Sequence, residues 1–135
     1  MVGIGFKFGY AFADQSSFLG GLELSVNYYR NLTGFGILVS TEQWTSGRRL
    51  YHYGLQCFWR FTGVSFGPTI LTSKEATVYG CAATVFAGAI LLPYYWLSLL
   101  PNESDILEFG IYAKLPLPLV HPKFSLSDGR ISLSE

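Results

Sequence analysis

The chain has 135 residues, nine basic and nine acidic, so its formal net charge is zero, which removes any electrostatic argument for a nucleic-acid partner. Half of the residues are hydrophobic, 17% are aromatic and only 13% are charged. A soluble domain carries about 25% charged residues, so this chain lacks the charge to cover a water-facing surface. The length suits one domain.

The first two runs set the pattern. In VGIGFKFGYAF, every second residue from Val2 to Phe12 is apolar, against Gly3, Gly5, Lys7, Gly9 and Ala11. After the turn ADQSS, Phe18, Leu22, Leu24, Val26 and Tyr28 oppose Gly21, Glu23, Ser25 and Asn27. Alternation of this length is the period of a strand, which a helix cannot use. Folding the pair about Gln15 sets Lys7 opposite Glu23. A turn at Asn31-Leu32-Thr33 leads into GFGILVSTEQW, where Phe35, Ile37 and Val39 oppose Gly36, Leu38, Ser40 and Glu42. After Thr45-Ser46-Gly47, the run RRLYHYGLQCFWRF sets Tyr51, Tyr53, Leu55, Cys57, Trp59 and Phe61 against His52, Gly54, Gln56, Phe58 and Arg60. Thr62-Gly63 is a two-residue hairpin signal. The next run alternates Val64, Phe66 and Ile70 with Ser65, Gly67 and Thr69, and Pro68 predicts a bulge or irregular pairing.

No charge occurs between Glu75 and Glu103, a stretch long enough for a transmembrane helix. Gly80, Gly88, Pro93 and strands on both sides favour one long strand, bent at Pro93. The run ILEFGIYAKLPL then sets Leu107, Phe109, Ile111, Ala113 and Leu115 against Glu108, Gly110, Tyr112 and Lys114, and Pro116, Pro118 and Pro122 end it. That makes seven clear strands in a unit spanning residues 1–120. Residues 121–135 are either a tail or an eighth, closing strand.

Periodicity does not say which face points inward, but composition does. A soluble barrel would need Lys, Glu and Asp on its polar face, which here carries Gly, Ser, Thr, Ala and Gln with about one charge per strand. Small residues with sparse charges suit the inside of a narrow barrel. The charges assigned to this interior are Lys7, Glu23, Glu42, Arg60, Glu108 and Lys114, with His52 beside them. Pairing about the turns sets Glu23 opposite Glu42 and Glu42 opposite His52; adjacent glutamates then need Lys7, Arg60 or protonated His52 between them. Outward aromatics gather near strand ends: Tyr10, Phe12, Phe18, Tyr28, Tyr51, Tyr53, Trp59 and Phe61, with Phe35 and Phe66 beside them. Aromatic belts around an aliphatic band, on strands of about 9–11 residues, are what a closed membrane-spanning barrel requires. Cys57 and Cys81 share the apolar face on strands separated by a third. They read as free thiols, because non-neighbouring strands lie roughly 10 Å apart.

With this alternation, these belts, short turns and a charged lumen, residues 2 to about 118 resemble the small, eight-stranded bacterial outer-membrane β-barrels. The expected fold is all-β: a closed, antiparallel, up-and-down transmembrane barrel of eight strands. The resemblance implies a bacterial outer-membrane location, the lipid bilayer as partner, and lipopolysaccharide or another envelope protein as further candidates. The chain departs from the class in ending Ile131-Ser132-Leu133-Ser134-Glu135, without a terminal aromatic. Met1 leads straight into a strand with no signal peptide, and the hydrophobicity favours a start at the mature domain over a cytosolic protein.

No metal-ligand spacing, phosphate-binding loop or nucleophile elbow occurs, and no cofactor is expected. His52 reads as a lumen partner of Glu42, or as the base of an outer-membrane acyl hydrolase or acyltransferase. His121 reads as a loop residue. Asn31-Leu32-Thr33 and Asn102-Glu103-Ser104 match glycosylation acceptors and read as accidental turn sequences in a bacterial protein. Eight strands leave an interior just filled by side chains, so an open porin is not expected. The expected role is anchoring, envelope stabilisation or partner binding. A lipid-modifying enzyme and a soluble calycin-like barrel for a small apolar ligand are the alternatives.

Overall fold

The structure, a computed structural model, describes residues 1–13, 16–88, 91–101, 104–117, 125–127 and 130–132. Eight strands form the barrel: β1 (Val2–Phe12), β2 (Ser17–Arg30), β3 (Thr33–Trp44), β4 (Arg49–Trp59), β5 (Thr62–Thr72), β6 (Thr77–Ala87), β7 (Leu91–Leu99) and β8 (Ile106–Leu117). They pair antiparallel in chain order, and β8 returns to β1 to close the barrel, with Val2 opposite Leu117 and Phe12 opposite Leu107. Closure leaves no strand edge facing outward, which is the condition for a sheet in hydrocarbon.

The eighth strand is not the tail. It comes from the charge-free stretch, which is a hairpin and not one bent strand. Gly88 adopts φ +131 and donates its N–H to the carbonyl of Phe61 at 2.7 Å. A conformation that L side chains rarely adopt lets the chain reverse between Ala87 and Leu91. Pro93 sits inside β7, opposite Ile111. The tail contributes β9 (Ser125–Ser127) and β10 (Arg130–Ser132), which pair with each other as a separate two-stranded sheet and not with the barrel strands.

Three ladders also differ from the expected register, each by two residues. Lys7 faces Gly21, while Glu23 faces Gly5; Glu23 then faces Ser40, and Glu42 faces Leu50 while Ser40 faces His52. Each reversal is centred about one residue earlier than the turn residues suggest, and parity is conserved, so every side chain keeps its face. Arg60 is a larger correction. Its parity predicts a lumen position on the fourth strand, but β4 ends at Trp59 and Arg60 lies exposed in a turn with φ +54. The signal Thr62-Gly63 is therefore the start of β5 and not the turn itself. Pro68 causes no slip: the β4–β5 ladder keeps one register from Tyr51 opposite Ile70 to Leu55 opposite Phe66, skipping the pairs beside the proline, which has no N–H to give.

The faces are inverted relative to a soluble barrel. Phe6 and Leu24 are 41% and 54% exposed, whereas Glu23 and Glu42 are 3% and 1% exposed. One end of the lumen is packed with apolar side chains, among them Ala11, Leu19, Trp44, Leu50, Leu71 and Ile106. That end carries the connections 13–16, 45–48, 73–76 and 100–105. The opposite end carries both ends of the barrel sequence and the shorter connections 31–32, 60–61 and 88–90.

Candidate functional site: the lumen

The lumen is built on a repeated device in which a glycine on one strand lets the side chains of its two neighbours meet across it. Strands two apart are separated by roughly 10 Å, too far for most side chains unless the middle position is bare. In the row Lys7, Gly21, Glu42, the Lys7 ammonium pairs with the Glu42 carboxylate over Gly21. A Cβ at Gly21 would lie 2.7 Å from the Thr41 carbonyl oxygen and 2.9 Å from Glu42 Cγ. In the row Lys114, Gly5, Glu23, the Lys114 ammonium lies 2.5 Å from Glu23 over Gly5. In the row Asn27, Gly36, Gln56, the Gln56 amide donates to Asn27 Oδ1 at 2.6 Å. Aromatic pairs use the same plan: Tyr29 stacks on Phe58 over Gly34, and Phe58 meets Phe86 edge-on over Gly63.

Lys7 is the centre of this interior. Besides Glu42, it donates to Glu108 at 3.0 Å, so one buried ammonium faces two buried carboxylates. It also lies 4.0 Å from the Trp96 ring centroid and 4.5 Å from that of Tyr94. Ring faces attract a desolvated cation, so these two side chains from β7 and the carboxylates together replace the lost water. Lys114 continues the network toward the shorter-turn end, donating to Gln56 at 3.3 Å. Ser25 accepts from the Asn27 amide at 3.1 Å.

Of the seven residues assigned to the lumen, the structure brings Lys7, Glu42 and Glu108 together, joins Glu23 to Lys114, and buries His52 apart from the expected Glu42. The His52 ring packs edge-on against Trp96 at 4.4 Å, and its ladder neighbours are Ser40 and Thr69. Sequence reasoning misses Tyr94 and Trp96 because β7 is apolar on both faces. Leu92, Tyr94 and Trp96 point inward while Tyr95, Leu97 and Leu99 point outward, so alternation carries no contrast there. The inward parity of Ser98 is the available signal.

Outside, Phe12, Phe18, Tyr28, Tyr53, Trp59 and Phe61 are exposed, with Tyr10 and Tyr51 half-buried among neighbours. Tyr10 meets Phe12 and Phe18 edge-on, at 5.0 Å each, and Tyr28 packs on Phe35 at 5.5 Å. Cys57 and Cys81 carry free thiols on β4 and β6. His121 and part of Asn102-Glu103-Ser104 lie outside the described residues.

A closed, all-antiparallel, eight-stranded barrel with an apolar exterior and an ion-paired, glycine-spaced lumen has the transmembrane β-barrel fold. The solved structures it is similar to agree. One is the crystal structure of Neisserial surface protein A (NspA), at TM-score 0.58 and 12% identity, covering 84% of this chain and 92% of that one. Another comes from work titled "De novo design of transmembrane beta-barrels", at TM-score 0.51 and 11% identity, covering 84% and 94%. No protein-family model matches the chain. No curated protein matches it either.

Proposed function

We infer that this chain is a small barrel of the bacterial outer membrane that anchors in the bilayer and serves a structural or partner-binding role, without an open pore. The observation that carries the reading is the exposure of large apolar side chains on the outer face of all eight strands, around an interior that holds the ion pairs. Exposed Phe, Leu, Ile and Val would each be hydrated in a soluble protein, while acyl chains solvate them without cost. A soluble calycin-like barrel needs the reverse, with charge outside and an apolar cavity within. Bacterial outer-membrane barrels place short turns on the periplasmic side and longer loops outside. The turns 31–32, 60–61 and 88–90 would then face the periplasm, and the apolar plug the exterior. Lipopolysaccharide or another envelope protein remains a partner of this reading at the exterior end.

The acyl-hydrolase alternative receives no specific support, because His52 and its ladder neighbour Ser40 are both buried beside the Lys7 cluster. The test is direct. Expressed with an export signal, the protein should fractionate with the outer membrane. In detergent it should migrate on a gel as a compact band that shifts on boiling, and in planar bilayers it should give no steady single-channel conductance. A detergent-free soluble monomer defeats the membrane assignment, and an ohmic channel defeats the closed lumen.

A further inference from the structure

The two ends of the lumen differ. The long-connection end is filled, but the short-turn end opens into a cavity of about 330 Å3 whose lining includes Tyr29, Phe58, Phe86, Leu92, Arg60 and Lys114. A neighbouring hollow of about 310 Å3 shares Tyr29, Arg60 and Phe61 with it and extends to Asn31 and Leu32. Leu32 and Phe61 are themselves exposed in the turns 31–32 and 60–61. The two hollows therefore adjoin over the turns 31–32 and 60–61, at the mouth of the lumen. Each volume is at the lower end of the roughly 300–1,000 Å3 typical of small-molecule sites.

The chemistry of the two hollows is one-sided. Their walls are aromatic and aliphatic, and no carboxylate lines either hollow among the described residues. Lys114 already has Glu23 as its counter-ion. Arg60 is exposed at the rim, where the described residues give it the Trp59 ring at 5.6 Å and no acidic partner. A guanidinium that meets no acidic side chain among the described residues, at the lip of an apolar cavity, complements an anionic group carrying a hydrocarbon chain.

We propose that this end of the barrel binds a single-chain amphiphile with an anionic head, its carboxylate or phosphate on Arg60 and its chain against Phe58, Phe86 and Leu92. The inference rests on the membrane-barrel reading. The protein itself would be placed in phosphatidylcholine nanodiscs and its amide NMR signals followed during titration with decanoate, decyl phosphate, decanol, decyltrimethylammonium or inorganic phosphate. Saturable shifts at Gly3, Gly63 and Gly88 are expected with decanoate and decyl phosphate, and the stronger of the two identifies the head. Inorganic phosphate alone should leave these signals unmoved. Arg60→Asn tolerates the left-handed turn and should weaken decanoate binding about tenfold, the size of one charge-assisted hydrogen bond worth roughly 1.4 kcal/mol. Leu92→Trp, which fills the cavity, should abolish the shifts while the heat-modifiable band persists.

Equal responses to decanoate and decyltrimethylammonium overturn the proposal. So does non-saturable broadening confined to outward residues such as Leu55 and Leu97, or no shift at all. If a chain ending at Leu117 binds decanoate and the full chain does not, the tail is the occupant and the proposal fails. A protein that inserts and shows the gel shift but ignores decanoate refutes the site alone, whereas one that never inserts refutes the membrane reading itself.

Discussion

Lys7 concentrates the energetic risk of the barrel. Lys7→Met would keep its bulk but leave the Glu42 and Glu108 carboxylates facing each other without a cation, in a lumen where neither reaches water. Removing one partner of a buried ionic cluster costs about 3–5 kcal/mol, so the midpoint of chemical unfolding in detergent should fall sharply. Glu23→Ala should cost more than Ser25→Ala but less than Lys7→Met, because Lys114, the ion left behind, keeps 15% of its side chain exposed. The glycines supply a stricter comparison. Gly21→Leu would force a side chain between Lys7 and Glu42 and should destabilise as severely as losing the lysine. A methyl group added at Gly20 would meet nothing within 4 Å, so Gly20→Ala should leave stability within about 0.5 kcal/mol of the parent. If both glycine variants behave alike, the spacer role is wrong. Parity alone places Lys7, Glu23, Glu42, Glu108 and Lys114 on the inner face but misplaces Arg60. Their partners were not legible, because Lys7–Glu42 and Lys114–Glu23 each span three strands and Lys7–Glu108 crosses the closing β1–β8 seam, so no local turn rule connects any of them.

Among the elements, β7 is the weakest-held strand. It is nine residues long, and its ladder with β6 runs only from Cys81 opposite Leu99 to Phe86 opposite Tyr94. Residues 77–80 at the start of β6 have no β7 partner, and Pro93 removes a donor from the other side. Local opening follows the density of such pairings. Amide exchange in detergent should therefore be fastest in 77–80 and 91–93, and slowest in β2 and β3, whose ladder extends from Leu19 opposite Trp44 to Arg30 opposite Thr33. Uniform exchange around the barrel would contradict this. The same hairpin was the one element hidden in the sequence. Its turn has no charge and no polar cluster, and both faces of β7 are apolar, so neither punctuation nor alternation marks it. Only the Gly88 conformation and closure onto β8 separate two strands from one.

For the whole molecule, the decisive quantity is the cost of charge on the exterior. Leu24 lies mid-strand on β2, and Phe18 near its beginning. An arginine on the lipid face costs about 2–4 kcal/mol at the bilayer midplane and roughly 0–1 near an interface. Leu24→Arg should therefore lower folding stability in phosphatidylcholine vesicles by more than Phe18→Arg does. In a water-exposed barrel both substitutions would be tolerated alike, and that result would reverse the orientation of the faces.

Alternation outside β7 determined by itself which side chains share a face, because strand parity is a local property and survives errors in register, and the small, sparsely charged make-up of one face determined that the oily side chains point outward. Its strand number, its ion pairs and the difference between its two ends were decided only by tertiary structure. Closure fixes which rows align, and a glycine's value lies in what its neighbours on either strand need to reach. Arg60 illustrates the boundary: one residue of strand length moved it from the lumen to the rim of the cavity at the short-turn end.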